Sequence, residues 1–102
     1  MIHVVATVEL NPGTRERFIT EFKKNVPLVL AEDGCHGYAP VVDTVTGFPT
    51  QANIGPDKVC VIEQWASLDA LKAHAVAPHM KAYRVAVKDL VKGVSLQVFS
   101  PA

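Results

Sequence analysis

Apolar and polar residues alternate with the period of a strand in MIHVVATVEL (residues 1–10): His3, Val5, Thr7 and Glu9 fall on one face, Ile2, Val4, Ala6 and Val8 on the other. Asn11-Pro12-Gly13 ends that strand with turn chemistry. The period then changes. Thr14 is placed to cap a helix, and Phe18, Phe22, Val26 and Val29 recur at helical spacing, with Ile19 and Leu30 widening the stripe. Pro27 predicts a kink or a separate last turn, and Asp33-Gly34 closes the helix.

CHGYAPVVDTVTG (35–47) reads as a second strand, with Pro40 favouring a sheet edge or a bulge, and GFPTQANIGPD (47–57) as a long loop. The clearest strand is DKVCVIEQWAS (57–67), with Val59, Val61, Glu63 and Trp65 on one face and Cys60, Ile62 and Gln64 on the other. Ser67 caps a second helix, SLDALKAHAVA, in which Leu68, Leu71 and Ala75 are expected to face the sheet with His74 beside them. Pro78 interrupts it, it resumes as HMKAYRVAVKDLVKG, and GVSLQVFS supplies a last strand.

The order β-α-β-β-α-β is that of a ferredoxin-like α+β domain with an antiparallel sheet. Two helices cover one face of such a sheet, yet VVATV, VCVI and VSLQVF are apolar at both parities. A symmetric homodimer would bury the second face. The 102 residues fit a single domain over 1–102, and 49% hydrophobic content is high for so short a chain, as a subunit interface or a lined cavity requires.

Ten basic and ten acidic residues cancel, with no run of either sign, which argues against nucleic acid and against an anionic membrane as partners. No apolar run reaches the length of a transmembrane helix, and the N-terminus lacks the basic region and cleavage site of a signal peptide. Cys35 and Cys60 have neither CxxC spacing nor the density of a disulfide scaffold. Two free thiols in a cytoplasmic protein are the expectation.

Few residues offer chemistry. His74 and His79 are five apart, which turns the second ring about 140° from the first on an ideal helix, a poor arrangement for a metal. Cys35 and His36 are adjacent on a strand and point to opposite faces, so they make a poor nucleophile and base. Dinucleotide, P-loop and hydrolase-elbow motifs are absent from the sequence. An acid, an imidazole, a tyrosine (Tyr38 or Tyr83) and an indole remain: Glu63 and Trp65 share a strand face, and His74 lies on the helix that follows. Such a set suits an aromatic substrate in an apolar pocket. It also suits a plain core, with Trp65 as filler, His74 bonded to a carbonyl, and Glu63 paired across the dimer.

The opening GCHGY (34–38), then E-x-W-x-S-x-x-A-L-x-x-H (63–74) and Pro78-His79, resembles the antibiotic biosynthesis monooxygenase family, which includes small quinol monooxygenases. The resemblance spans nearly the whole chain in element order. It implies a dimeric α/β barrel with a pocket between sheet and helices in each subunit. It also implies oxygenation of a quinol or polycyclic phenol by molecular oxygen without metal, flavin or haem. Glu63, Trp65 and His74 fall at motif positions, and Tyr38 and His79 match more weakly. On this basis His74 and Glu63 are the candidate catalytic residues, and Trp65, Tyr38 and His79 bind substrate. The loop 47–57 is long for the family, and Ala6-Thr7 stands where the haem-degrading branch has an asparagine, which disfavours haem degradation. A non-catalytic ligand-binding or stress-response dimer is the alternative.

Overall fold

The computed structural model describes residues 1–102. Its elements are β1 (Ile2–Leu10), α1 (Arg15–Leu30), β2 (Cys35–Val41), β3 (Lys58–Trp65), α2 (Leu68–Ala75), α3 (Pro78–Val87) and β4 (Val91–Phe99). The four strands form one antiparallel sheet in the order β2-β3-β1-β4, with β3 inserted between β1 and β2. This is the expected ferredoxin-like arrangement. Pro40 lies on the edge strand β2, where its missing N–H interrupts no ladder on the open side.

Four local expectations are corrected. First, the interruption expected at Pro78 is present but lies at Val76-Ala77: α2 ends at Ala75, and Pro78 is itself the first residue of a separate helix, α3, where a proline's lost donor has no intrahelical partner to miss. Second, β2 stops at Val41 and does not run to Gly47. Its pairing ends at Val41↔Cys60, and the Asp43 carboxylate beyond it takes the N–H groups of Ile54 and Gly55, each at 2.9 Å. Third, Thr14 sits at the N-cap of α1 without capping it, because its hydroxyl donates backward to the Asn11 carbonyl at 2.7 Å. Ser67 does cap α2, accepting from the Ala70 N–H at 3.1 Å. Fourth, Leu68 and Ala75 are exposed, and the face of this segment turned to the sheet carries Ala70, Leu71, His74 and Ala77.

Alternation sets the core. Val4, Ala6, Val8, Val59, Val61 and Trp65 point to the helix side and are buried, and Phe18, Phe22 and Val29 of α1 meet them. Val94, Leu96 and Val98 of β4 pair with Val8, Ala6 and Val4 and so share that side, yet they remain exposed because no helix reaches the β4 edge. The opposite face carries Val5, Ala39, Val41, Cys60 and Ile62 among polar residues.

One glycine fixes how α2 approaches. Gly34 has φ of +81°, and a Cβ built on it would lie 2.8 Å from the Ala70 Cβ. The Gly34 carbonyl also accepts the Ala66 N–H at 2.8 Å. The α1–β2 turn is therefore hydrogen-bonded to the segment joining β3 to α2 and packs closely against Ala70 of α2, which brings residues 32 and 74 together.

Candidate active site

The strand pattern delivers Glu63 and Trp65 to the helix side of β3, and register sets Tyr38 of β2 directly beside Glu63. The Trp65 indole N–H donates to Glu63 Oε1 at 2.9 Å, and both side chains are buried. From α2, the His74 ring lies 4.7 Å from the Trp65 ring and 5.4 Å, edge-on, from Tyr38 (centroid distances). Phe22 stacks on Tyr38 at 5.3 Å and meets Tyr83 edge-on at 5.7 Å. Four of the residues singled out from the sequence, Glu63, Trp65, His74 and Tyr38, thus form one continuous cluster.

His79 joins through a residue that the sequence reading missed. Glu32, in the turn after α1, places a single carboxylate oxygen, Oε2, 2.8 Å from His74 Nδ1 and 2.8 Å from His79 Nε2. The divergence of about 140° expected for one continuous helix does not apply, because the chain breaks at Val76-Ala77 and restarts. The Arg84 guanidinium of α3 donates to the Ala75 carbonyl at 2.7 Å and holds the two short helices together. No periodicity marks a turn residue such as Glu32. The only sequence signal is an acid beside the Asp33-Gly34 stop.

Burial dominates the electrostatics. It raises the proton affinity of the Glu63 carboxyl, against the Trp65 hydrogen bond and the nearby His74, which lower it. Burial also holds the Tyr38 and Tyr83 phenols well above the ordinary tyrosine range, so both are neutral hydrogen-bond donors. The Cys35 thiol is pushed up chiefly by burial, which disfavours a thiolate there.

No buried side-chain nitrogen or oxygen lacks a hydrogen-bond partner. Tyr38 Oη, Glu63 Oε2 and His74 Nε2 make no hydrogen bond within the chain, so each retains some contact with open space although its residue is more than nine-tenths buried. The cluster is otherwise closely packed. Two shallow surface hollows lie elsewhere: one of about 280 Å³ is between α1 and α3 beside Glu16 and Ala86. The other, of about 240 Å³, lies at the β1, β3 and β4 surface beside Thr7 and Lys58. Neither is lined by the cluster, so the pocket implied between sheet and helices is not one of these.

Comparison with known proteins agrees with this architecture. Crystal structures of PA3566 from Pseudomonas aeruginosa (TM-score 0.79, 23% identity, 99% of this chain and 93% of that one) and of a conserved protein from Methanosarcina mazei Go1 (TM-score 0.82, 20% identity, 99% and 92%) share the fold. In sequence the chain is 44% identical over 103 residues to the Probable quinol monooxygenase YgiN of Escherichia coli (strain K12), a match covering 99% of this chain and 98% of that protein. Residues 1–86 match the family described as antibiotic biosynthesis monooxygenase. With most of its length matched and its fold shared, the chain belongs to the antibiotic biosynthesis monooxygenase family.

Proposed function

We propose that this protein is a quinol monooxygenase that uses molecular oxygen without a resident cofactor, with His74 as the proton acceptor. The observation that carries the proposal is the set of unpartnered polar atoms, His74 Nε2, Tyr38 Oη and Glu63 Oε2, on an otherwise aromatic, buried cluster. Each of these atoms reaches open space from a residue that is more than nine-tenths buried, so a ligand at that surface would meet an imidazole nitrogen, a phenol and a carboxyl together. The name of the 44% identical relative supports the substrate class.

The chemistry needs little from the protein. Removal of a phenolic proton by His74 Nε2 leaves an electron-rich anion that reduces oxygen directly. Oxygen then adds to a ring carbon. The quinol loses four electrons in becoming a hydroxyquinone, dioxygen accepts four, and its second atom leaves as water carrying the two hydrogens that the quinol loses. Atoms and electrons balance with no further reductant. Tyr38, as a neutral phenol, donates to a substrate oxygen, and Trp65 and Phe22 supply the apolar walls that keep water from the anion. Glu63, with its raised proton affinity, is suited to hold and return a proton as oxygen is reduced.

The reading includes a homodimer. The apolar stripe Val94, Leu96 and Val98 that no helix covers, together with Ile62 on the far face, supports burial against a second copy. No helix is long and apolar enough to cross a membrane.

The test is oxygen uptake over a panel of quinols and polycyclic phenols with wild type and His74→Ala. A fall in turnover of about a hundredfold or more, the usual scale for losing a general base, is expected with the fold retained. Full activity with a lowered melting temperature would make His74 structural. Ligand binding without oxygen uptake would favour the non-catalytic alternative.

A further inference from the structure

We propose that Glu32 is the positioning residue for His74, with one carboxylate oxygen fixing which ring nitrogen is free to take a proton. This deepens the functional reading above and rests on it for its catalytic consequence, though not for its structural content.

A carboxylate only accepts hydrogen bonds, and one of its oxygens has two lone pairs, so Oε2 can serve two donors at once. Both imidazole nitrogens stand 2.8 Å from it and both must therefore carry hydrogens. For a neutral His74 this assigns the Nδ1–H tautomer and leaves Nε2 bare. Nε2 is the atom with no partner within the chain. A free imidazole side chain prefers the opposite tautomer, with hydrogen on Nε2, which would make that atom a donor and unfit to accept a phenolic proton. Glu32 reverses the preference through the bond to the far nitrogen.

The second bond explains His79. Glu32 sits in a turn, where a single contact would leave its side chain free to swing. His79, on α3, holds the same oxygen from the other side, and the carboxylate is mostly buried, with a side chain 13% exposed. Glu32 thereby ties the α1–β2 turn to both short helices across the Val76-Ala77 break. The other titratable groups around this centre are Glu63 on β3 and Tyr38 and Cys35 on β2. Tyr38 and Cys35 are held in their neutral, protonated forms, so neither competes as an anion for the His74 Nδ1 hydrogen.

The test is long-range proton–nitrogen NMR of the full-length, ¹⁵N-labelled protein at neutral pH, with the His74 signals assigned by their loss in His74→Ala. Wild type is expected to show hydrogen on Nδ1 and a bare Nε2. Glu32→Ala should shift His74 to the Nε2–H form and lower kcat about a hundredfold with little change in KM. Glu32→Gln, whose amide oxygen still accepts, should retain the Nδ1–H tautomer and lose less activity. A His74 that is mainly Nε2–H in wild type overturns the inference, even if Glu32→Ala fails to fold. So does a tautomer unchanged in Glu32→Ala, which would reduce Glu32 to a structural bond. A tautomer that shifts as described in a protein that turns over no quinol would sustain the positioning role and reject the monooxygenase reading instead.

Discussion

Replacing Gly34 with alanine should damage the fold and the candidate site together, at a cost that can be worked out. Two separate terms contribute. A φ of +81° is left-handed backbone, which costs a residue with a Cβ about 1–2 kcal/mol. The new Cβ would also stand 2.8 Å from the Ala70 Cβ, and overpacking of this kind costs about 1–3 kcal/mol when helix and turn must move apart. The sum is about 2–5 kcal/mol. For a chain of about 100 residues each kcal/mol moves the melting temperature by about 4–8 °C, so a fall of about 8 °C or more is expected. The two terms separate in an Ala70→Gly background. That change alone costs about 1 kcal/mol of helix propensity, but it removes the contact, so adding Gly34→Ala should then cost only about 1–2 kcal/mol. Urea unfolding of the four variants at one protein concentration measures the cycle. Equal cost of Gly34→Ala in both backgrounds would refute the close approach of turn and helix. A cost below about 0.5 kcal/mol, the usual range for a surface change, would refute the left-handed turn as well.

The Glu63 carboxyl has a folded-state pKa raised above its unfolded value of about 4.3, so its stabilising contribution is complete below that pH and is lost as pH rises through the folded value. Glu63→Gln, neutral throughout and still able to accept the Trp65 N–H, should therefore gain stability relative to wild type as pH climbs from about 4 to 7, and a difference of opposite slope in paired melts would contradict the burial argument. Ser67→Ala removes the α2 cap and should cost about 1 kcal/mol in urea unfolding, whereas Thr14→Ala, which removes no N-terminal cap bond, should not show a capping loss of that size. Leu96→Arg puts a charge on the uncovered β4 stripe and should convert a dimer to a monomer in sedimentation at micromolar concentration. A wild type that is already monomeric would reject the dimer.

The strands were legible because alternation and burial coincide. Val59, Val61, Glu63 and Trp65 had to share a face, and they do. The α2 stripe was misread because eight residues make only about two turns, too few for periodicity alone to fix the inward face. The contact of Gly34 with Ala70 fixes it instead, and that contact is tertiary. Val42 to Val45 read as strand on β-branched content, but the β2–β3 pairing ends at Val41↔Cys60 although β3 runs on to Lys58, and the chain leaves the sheet with the Asp43 carboxylate bonded to the Ile54 and Gly55 N–H groups. Glu32 was invisible for a related reason. An acid in a turn is ordinarily solvated, and only the return of α2 and α3 over that turn surrounds this one with two imidazoles.

The proposed insertion of one atom of dioxygen into a quinol is tested most directly with isotopically heavy oxygen gas. Purified protein stripped of metals and flavins would be incubated with each quinol under ¹⁸O₂, and the hydroxyquinone analysed by mass spectrometry. The expected result is one heavy oxygen atom per product molecule, formed at a rate that falls with His74→Ala. Product carrying only light oxygen from water, or quinone formed without a new hydroxyl group, would contradict it.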